Sequence, residues 1–577
     1  METYTEQTGQ TAKIASAGNE VPFLPDEKEA LLKDLYVLPG SEILDRILRL
    51  EKPRELIRKL PSEDFFWLVK KIGEDDCFPL LELASVDQWQ YLLDLEIWQK
   101  DRLDISHISH WMNLLQQADC KRLVKWLLSE GRSIAYYYFL RTVEVVALET
   151  KDEVCDIPDG FMSLGGIFYI KVIDQAHRET IGNIISAMAV EDFEQYQDLF
   201  LGLAGLLPSV LEEELYRLRN VRLAEHGFLP FEEAITVYSP LGLDVLKTDE
   251  RNTLIDVIHD EEVRAVVPIF PLLQTGIENV FMEVVSGAGD PVFLDRLRLE
   301  FAGLVNQIIA AEGTIVRDTE VLVQACRKAA RIVNLAIEGA CGCDLPSAEN
   351  LLRHHPLTTL FRVGFGMVLK LKWEAERWLK GSWFYRKGLE LGFWGEQWGS
   401  TLSGLLEKKP RLYIGPKGEA EYKNFERISE LDESRKILHH LMELDSLLEQ
   451  LVERYAMDRR MLRSQEMTFH PLLFNLWARR FLKLEPCFSG ISLSQAKDLF
   501  HQMRTGNEGH PFQMHGLREA FIRDFIIYAS NFDPEATSIL RDTLSLIWQE
   551  FVKEYEWVSI DDLDVRYSKF VTIDAAH

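Results

Sequence analysis

Residues 56–98 read LIRKLPSEDFFWLVKKIGEDDCFPLLELASVDQWQYLLDLEIW, a run in which short amphipathic helices follow one another with almost no loop between them. Pro61 and Ser62 open the first: Ser62 is placed to cap free backbone N–H groups, Glu63 and Asp64 suit the positive end of a helix, and Gly73 supplies the stop. Between those signals Phe65, Leu68, Val69 and Ile72 fall on one face. Asp75 and Asp76 start a second helix that buries Phe78, Leu81 and Ala84, and Ser85 with Asp87 starts a third that buries Trp89, Leu92 and Leu93. A helix of about ten residues is marginal alone in water. Each must bury its stripe against its neighbours, which is the logic of a helical solenoid.

The helical pattern extends outward from there, from Glu27 to about Glu149. Ile105-Ser106 opens a helix through Trp111, Leu114 and Leu115, and Asp119 caps one through Leu123, Trp126 and Leu127 that stops at Gly131. At Val154–Ile173 the pattern changes: Pro158, Asp159 and Gly160 precede FMSLGGIFYIKVI, where Gly165-Gly166 between two β-prone runs predicts a β-hairpin. Helical signals return over 179–219, with Ser209-x-x-Glu212 as a capping box. Pro240, Pro268 and Pro271 then bracket a charged stretch of weak periodicity, which reads as a linker or a small docking segment.

Farther on, long helices are expected from Asp290-Pro291, over 318–337, over 356–379 and over 432–455. Gly364 and Gly366, in the middle of the third, read as sites of close helix packing. RLYIGPKGEAEYKNF (411–425) reads as a second hairpin or an ordered loop, and the alternating tail WVSIDDLDVRYSKFVTI as an extended strand. The expected fold is mainly α: a solenoid-like N-terminal unit and a C-terminal helical bundle, with a small β-hairpin insertion. The expected division is a polar tail (1–22), a helical repeat unit (23–150), the hairpin with helices continuing that unit (151–240), a linker (241–271) and a C-terminal helical domain (272–577).

Leu60-Pro61-Ser62-Glu63-Asp64, followed by a Gly-acidic break and Leu80-Leu81-x-Leu83-Ala84, resembles the helical repeat of MgtE-type magnesium transporter N-domains, over residues 50–130. Neither the membrane part nor the paired nucleotide-sensing domains of those transporters has a visible counterpart. The whole chain, from the Trp89 helix to Leu360-Phe361-Arg362-Val363-Gly364, resembles an uncharacterised bacterial family known only as a domain of unknown function. That resemblance transfers no catalytic residue.

Composition narrows the classes of function. With 64 Lys+Arg against 92 Asp+Glu the chain carries −28, which repels a nucleic-acid backbone and anionic membrane surfaces but not basic proteins, peptides or divalent cations. Of 577 residues 47% are hydrophobic, ample for real cores. Seven cysteines are few and odd in number for this length and read as reduced and intracellular. The polar N-terminus shows no secretory pattern, and the longest near-apolar run, Leu199–Leu211, is broken by Pro208 and falls short of the ~20 residues of a spanning helix. A cytoplasmic protein with no membrane insertion and no nucleic-acid partner is expected.

Three groups of residues carry chemistry. Cys341-Gly342-Cys343 with His354-His355 gathers soft and imidazole ligands, yet a single spacer strains tetrahedral closure on zinc by both sulfurs, so a glycine-ended helix with packed thiols is the plainer reading. His501, His510 and His515 lie among Asp498, Glu508 and Arg504 without an H-E-x-x-H helix or a nucleophile elbow, and read as loop histidines. The densest aromatic stretch holds Trp373, Trp378, Trp383, Phe384, Tyr385, Phe393, Trp394 and Trp398 together with Lys370, Lys372, Arg377, Lys380, Arg386 and Lys387. Exposed, these residues make a binding surface; buried, the tryptophans clamp helices while the cations reach solvent. Trp373, Arg377, Trp378, Trp394 and Trp398 are the candidate binding residues. No catalytic or metal-binding residue and no cofactor is assigned. The leading expectation is a helical scaffold or adaptor that binds a protein or peptide partner; the alternative is an enzyme or a ligand or metal sensor with a pocket in the C-terminal helical domain.

Overall fold

The computed structural model describes residues 32–35, 37–147, 160–164, 168–203, 206–247, 267–415, 421–455, 467–504, 511–514, 516–529, 533–564 and 569–574. They divide into two compact units. One holds the described residues up to Phe228 together with 267–274 and 313–323; the other holds 229–247, 275–312 and the described residues from Gln324 onward. The chain is mainly α, with small two-stranded sheets. Among the described residues no helix is long and apolar enough to cross a membrane.

The first unit begins as a stack of short helices: α1 (Gly40–Leu48), α2 (Pro53–Arg58), α3 (Ser62–Ile72), α4 (Phe78–Leu83), α5 (Val86–Glu96) and the longer α6 (Ile105–Leu128). Each packs on the helix two places along: α1 on α3, α2 on α4, α3 on α5 and α4 on α6. This alternation is how helices too short to persist alone bury their stripes. Phe65, Leu68, Val69 and Ile72 of α3 and Trp89, Leu92 and Leu93 of α5 are buried. Ser85 makes a full capping box with Gln88 at the start of α5. Ser62, by contrast, is the first residue of α3, and no side chain caps that helix. In α6, Asp119 breaks the helical backbone and accepts the Arg122 N–H at 3.0 Å, a second N-cap inside one run.

The expected hairpin takes a different partner. After α7 (Arg132–Thr142), β3 (Val143–Ala147) pairs antiparallel with β4 (Phe168–Val172), whereas Met162 contributes a single bridge to Ile170; Gly165 and Gly166 lie outside the described residues. The helical pattern therefore ends at Thr142 and not near Glu149: Val143, Val145 and Val146 are β-branched, stiff at χ1 and better seated in a strand. A two-residue pair, β1 (Trp98–Gln99) with β2 (Arg102–Leu103), precedes α6. The unit continues with α8 (Arg178–Glu191), α9 (Phe193–Gly202) and α10 (Pro208–Ala224). No side chain caps α10; Glu212, expected in a capping box, accepts the Leu103 N–H and the Tyr137 hydroxyl instead.

The second unit is a helical bundle: α11 (Pro291–Glu312), most of α12 (Thr319–Cys341), α13 (Leu345–His354), α14 (Leu357–Gly381), α15 (Gly395–Leu406), α16 (Ile428–Arg454), α17 (Phe469–Phe481), α18 (Leu493–Met503), α19 (Arg518–Ile526) and α20 (Pro534–Tyr555). Helix α14 packs on α11, α15 and α16, and α20 packs on α16 and α19. A Cβ on Gly364 would stand 2.0 Å from the Ile332 carbonyl oxygen, and one on Gly366 2.3 Å from that of Leu241, so both glycines mark close backbone approach. Short strands β5 (Leu412–Tyr413) and β6 (Tyr422–Lys423) form the second hairpin. The C-terminal β8 (Ile573–Asp574) runs parallel to β7 (Ile491–Ser492); among the described residues of the tail expected to be an extended strand, 557–573, only Ile573 lies in a strand, and 557–564 are turns, bends and irregular chain.

Candidate functional site

After α14 the chain turns sharply, and the turn builds the aromatic stretch. Ser382 caps the helical turn Trp383–Arg386, accepting the Tyr385 N–H at 3.1 Å. The buried carboxylate of Asp445 on α16 accepts the N–H groups of Trp383 and Phe384 at 2.9 and 2.8 Å, and burial pushes its pKa up to about 6. A 3₁₀ turn (Leu391–Trp394) leads through Gly395, at φ 79°, into α15. A Cβ on Gly399 would meet the Leu391 carbonyl oxygen at 2.4 Å, so that glycine lets α15 close onto the turn.

These constraints separate the five candidate residues. Trp373 and Arg377 are exposed on α14 and Trp378 is half-buried, whereas Trp394 and Trp398 are buried, at 1% and 7% exposure. Trp383, Phe384 and Phe393 are buried as well. Most of the aromatic stretch therefore clamps helices. Trp378 links the two groups, its ring 6.3 Å from that of Trp394.

Trp394 and Trp398 line an open cleft of about 800 Å³ in the second unit, together with residues of β5, α16, α17, α20 and the C-terminal segment. Its aromatic wall is a stack: Trp398 lies nearly parallel to Phe469 at 5.7 Å, and Phe469 lies over His470 at 3.9 Å, with Phe570 edge-on to His470 at 4.5 Å. Around the wall stand Glu396, Glu433, Glu550 and Glu554, against the ammonium groups of Lys553 and Lys569. Lys569 is 3.7 Å from Glu554.

His470 is 5% exposed and held from both ring nitrogens: Nδ1 is 3.1 Å from Thr468 Oγ1, and Nε2 is 3.3 Å from Glu550 Oε2. With the hydroxyl donating to Nδ1, Nε2–H donates to the carboxylate. Burial lowers its pKa although Glu550 pulls the other way, so the imidazole is neutral at pH 7. Hydroxyl, imidazole and carboxylate in series can hold and pass a proton.

A second hollow, of about 570 Å³, lies on α14 and is lined by Lys370, Trp373, Glu374, Arg377, Trp378 and Met442. Its acid is already engaged, with Glu374 accepting from His439 at 2.9 Å and lying 3.7 Å from Arg435.

The remaining sequence candidates are scattered. Cys341 donates to the Ile337 carbonyl at 3.1 Å, Cys343 is exposed, and His354 donates to the Asn350 carbonyl at 2.7 Å. His501 is exposed on α18; His510 and His515 lie outside the described residues. Among the described residues no group of three or more His, Cys, Asp or Glu is gathered that could hold a metal ion. The sequence reading missed His470, Thr468 and Glu550. Their one local signal is Thr-Phe-His at a helix start, and Glu550 lies 80 residues farther along the chain.

Compared with known proteins, the chain matches the model of a family of unknown function (DUF6178) over residues 25–574, and it belongs to that family. No curated protein and no solved structure matches it.

Proposed function

We propose that this member of the DUF6178 family is a cytoplasmic helical scaffold whose C-terminal unit accepts a cationic segment of a partner protein in the Trp398 cleft. The carrying observation is the cleft itself: an aromatic wall of Trp398, Phe469 and Phe570 ringed by four carboxylates against two ammonium groups. Aromatic faces and carboxylates together bind Lys and Arg side chains, through the ring quadrupole and through charge-assisted hydrogen bonds. The chain's net charge of −28 adds long-range attraction for a basic segment. The alternating stack of short helices α1–α6 supports the scaffold part of the reading. Few cysteines support the cytoplasmic setting.

The test is titration of the full chain with a labelled peptide of alternating Arg and Leu, followed by anisotropy. Glu433→Lys with Glu550→Lys is expected to weaken binding at least about tenfold, the scale of two lost charge-assisted contacts. Equal binding by that variant, or a Glu-for-Arg peptide whose binding the same two substitutions weaken, would remove the proposal.

A second reading, catalysis or small-molecule sensing in the same cleft, has one specific observation behind it, the Thr468–His470–Glu550 chain. A screen of activated esters and amides tests it. Turnover by the wild type that is lost in His470→Asn, with peptide binding intact, would favour this reading over the first.

A further inference from the structure

From the hollow on α14 we infer a second docking surface of opposite sign, built to take an acidic segment of a partner protein that carries an apolar anchor. Lys370, Trp373, Arg377 and Lys380 are spaced by three and four, so they form one stripe of about 15 Å along the helix. All four are exposed, Trp373 at 44%. The opposite face of this end of α14 is fully engaged: Leu371 and Ala375 are buried, and Lys372 donates to the Leu406 and Glu407 carbonyls at 3.1 and 2.7 Å. Lys370 and Arg377 have no ion-pair partner among the described residues.

Local explanations cover only part of the stripe. Lys380, in the last turn, answers the negative end of the helix dipole. Lys370 lies three turns farther in, where that field has faded. Neither accounts for an exposed tryptophan set between the cations in a chain whose net charge is −28. The hollow adds a receptor for a side chain: Trp373, Trp378 and Met442 offer apolar and polarizable surface beside Lys370 and Arg377, and the carboxylate that also lines it, Glu374, is held by His439 and Arg435. Trp and Arg at the centre of a patch are the residues that carry binding energy in protein interfaces.

The occupant follows from charge and size. The stripe is too short to engage more than a few phosphates, and the whole chain repels a long polyanion. A segment with two or three carboxylates around one Leu or Phe satisfies the cations and fills the hollow at once. This surface is independent of the Trp398 cleft, whose proposed ligand has the opposite charge.

The experiment uses the full chain and a labelled 14-residue amphipathic peptide carrying Glu around a central Leu-Phe pair, its Lys-for-Glu copy, a single-stranded RNA and anionic vesicles. The acidic peptide is expected to bind. Lys370→Glu with Arg377→Glu should weaken it at least about tenfold, and Trp373→Ala about thirtyfold, the usual scale for interface hot spots. With the Trp398 cleft disabled by Glu433→Lys and Glu550→Lys, the Lys-for-Glu peptide should gain affinity for the charge-reversed variant, a gain that damage to the fold cannot produce. No binding of the acidic peptide, or binding indifferent to the α14 substitutions, would overturn the inference. So would RNA or vesicles engaging the same residues more tightly than the peptide. The response of the Trp398 cleft to its Arg peptide is read separately and is unaffected by the α14 substitutions.

Discussion

Lys70 shows how one buried side chain sets a pH response. It is 1% exposed and lies 2.8 Å from both Glu74 and Glu96, one ammonium between two carboxyls. Burial pushes Glu96 up to about 7 despite the ammonium, so near neutrality the group carries a proton part of the time. A carboxyl whose native pKa lies above its ordinary 4.5 binds protons more tightly folded than unfolded. Its contribution to stability is complete below pH 4.5 and is lost as pH rises through 7. Glu96→Gln should therefore flatten this part of the stability profile between pH 5 and 8, as read by urea denaturation at several pH values. An unchanged slope would assign the pH dependence elsewhere.

Among elements, α14 is defined by what its glycines allow. Gly364→Ala would drive a Cβ to 2.0 Å from the Ile332 carbonyl oxygen, and backbone cannot rotate aside as a side chain can. The loss should be about 3 kcal/mol, at the upper end of overpacking, and the ~1 kcal/mol gained in helix propensity does not offset it. Gly303 in α11 is the control, because nothing lies within 4 Å of its added Cβ. Gly303→Ala should stabilise by about 0.5 kcal/mol or more. Equal effects of the two substitutions in thermal denaturation would mean that the α12–α14 approach is not tight.

For the whole molecule, the chain returns to its first unit after leaving it. Asp64 on α3, fully buried, accepts the N–H groups of Ile269 and Phe270 at 2.9–3.0 Å, and Val267, Ile269, Phe270 and Leu272 are buried. A fragment ending at residue 240 strips these partners from Asp64 and uncovers that apolar surface. Fragment 1–274 should melt well above fragment 1–240, and Asp64→Ala should remove most of the difference. Two buried N–H groups left without an acceptor cost about 1–3 kcal/mol each. Matching melting temperatures for the two fragments would show that 267–274 contributes nothing.

The sequence by itself determined the type of most elements. A stripe repeating every 3.6 residues, a cap such as Ser85 or Asp119 and a stop such as Gly73 are all written within a dozen residues of one another, and so was the close approach at Gly364 and Gly366. Tertiary structure decided what each element meets. Val143–Ala147 left the helix for a strand because β4 was there to pair with it. Glu63 and Asp64, legible as charges suited to a helix end, became a partner of His226 and a buried anchor for 267–274. Trp373 and Trp398, alike in sequence, were separated into an exposed knob and a cleft wall. The cleft draws on residues from 394 to 570. Packing between helices far apart in the chain brings those side chains together, and contacts of that range leave no periodic trace in the sequence.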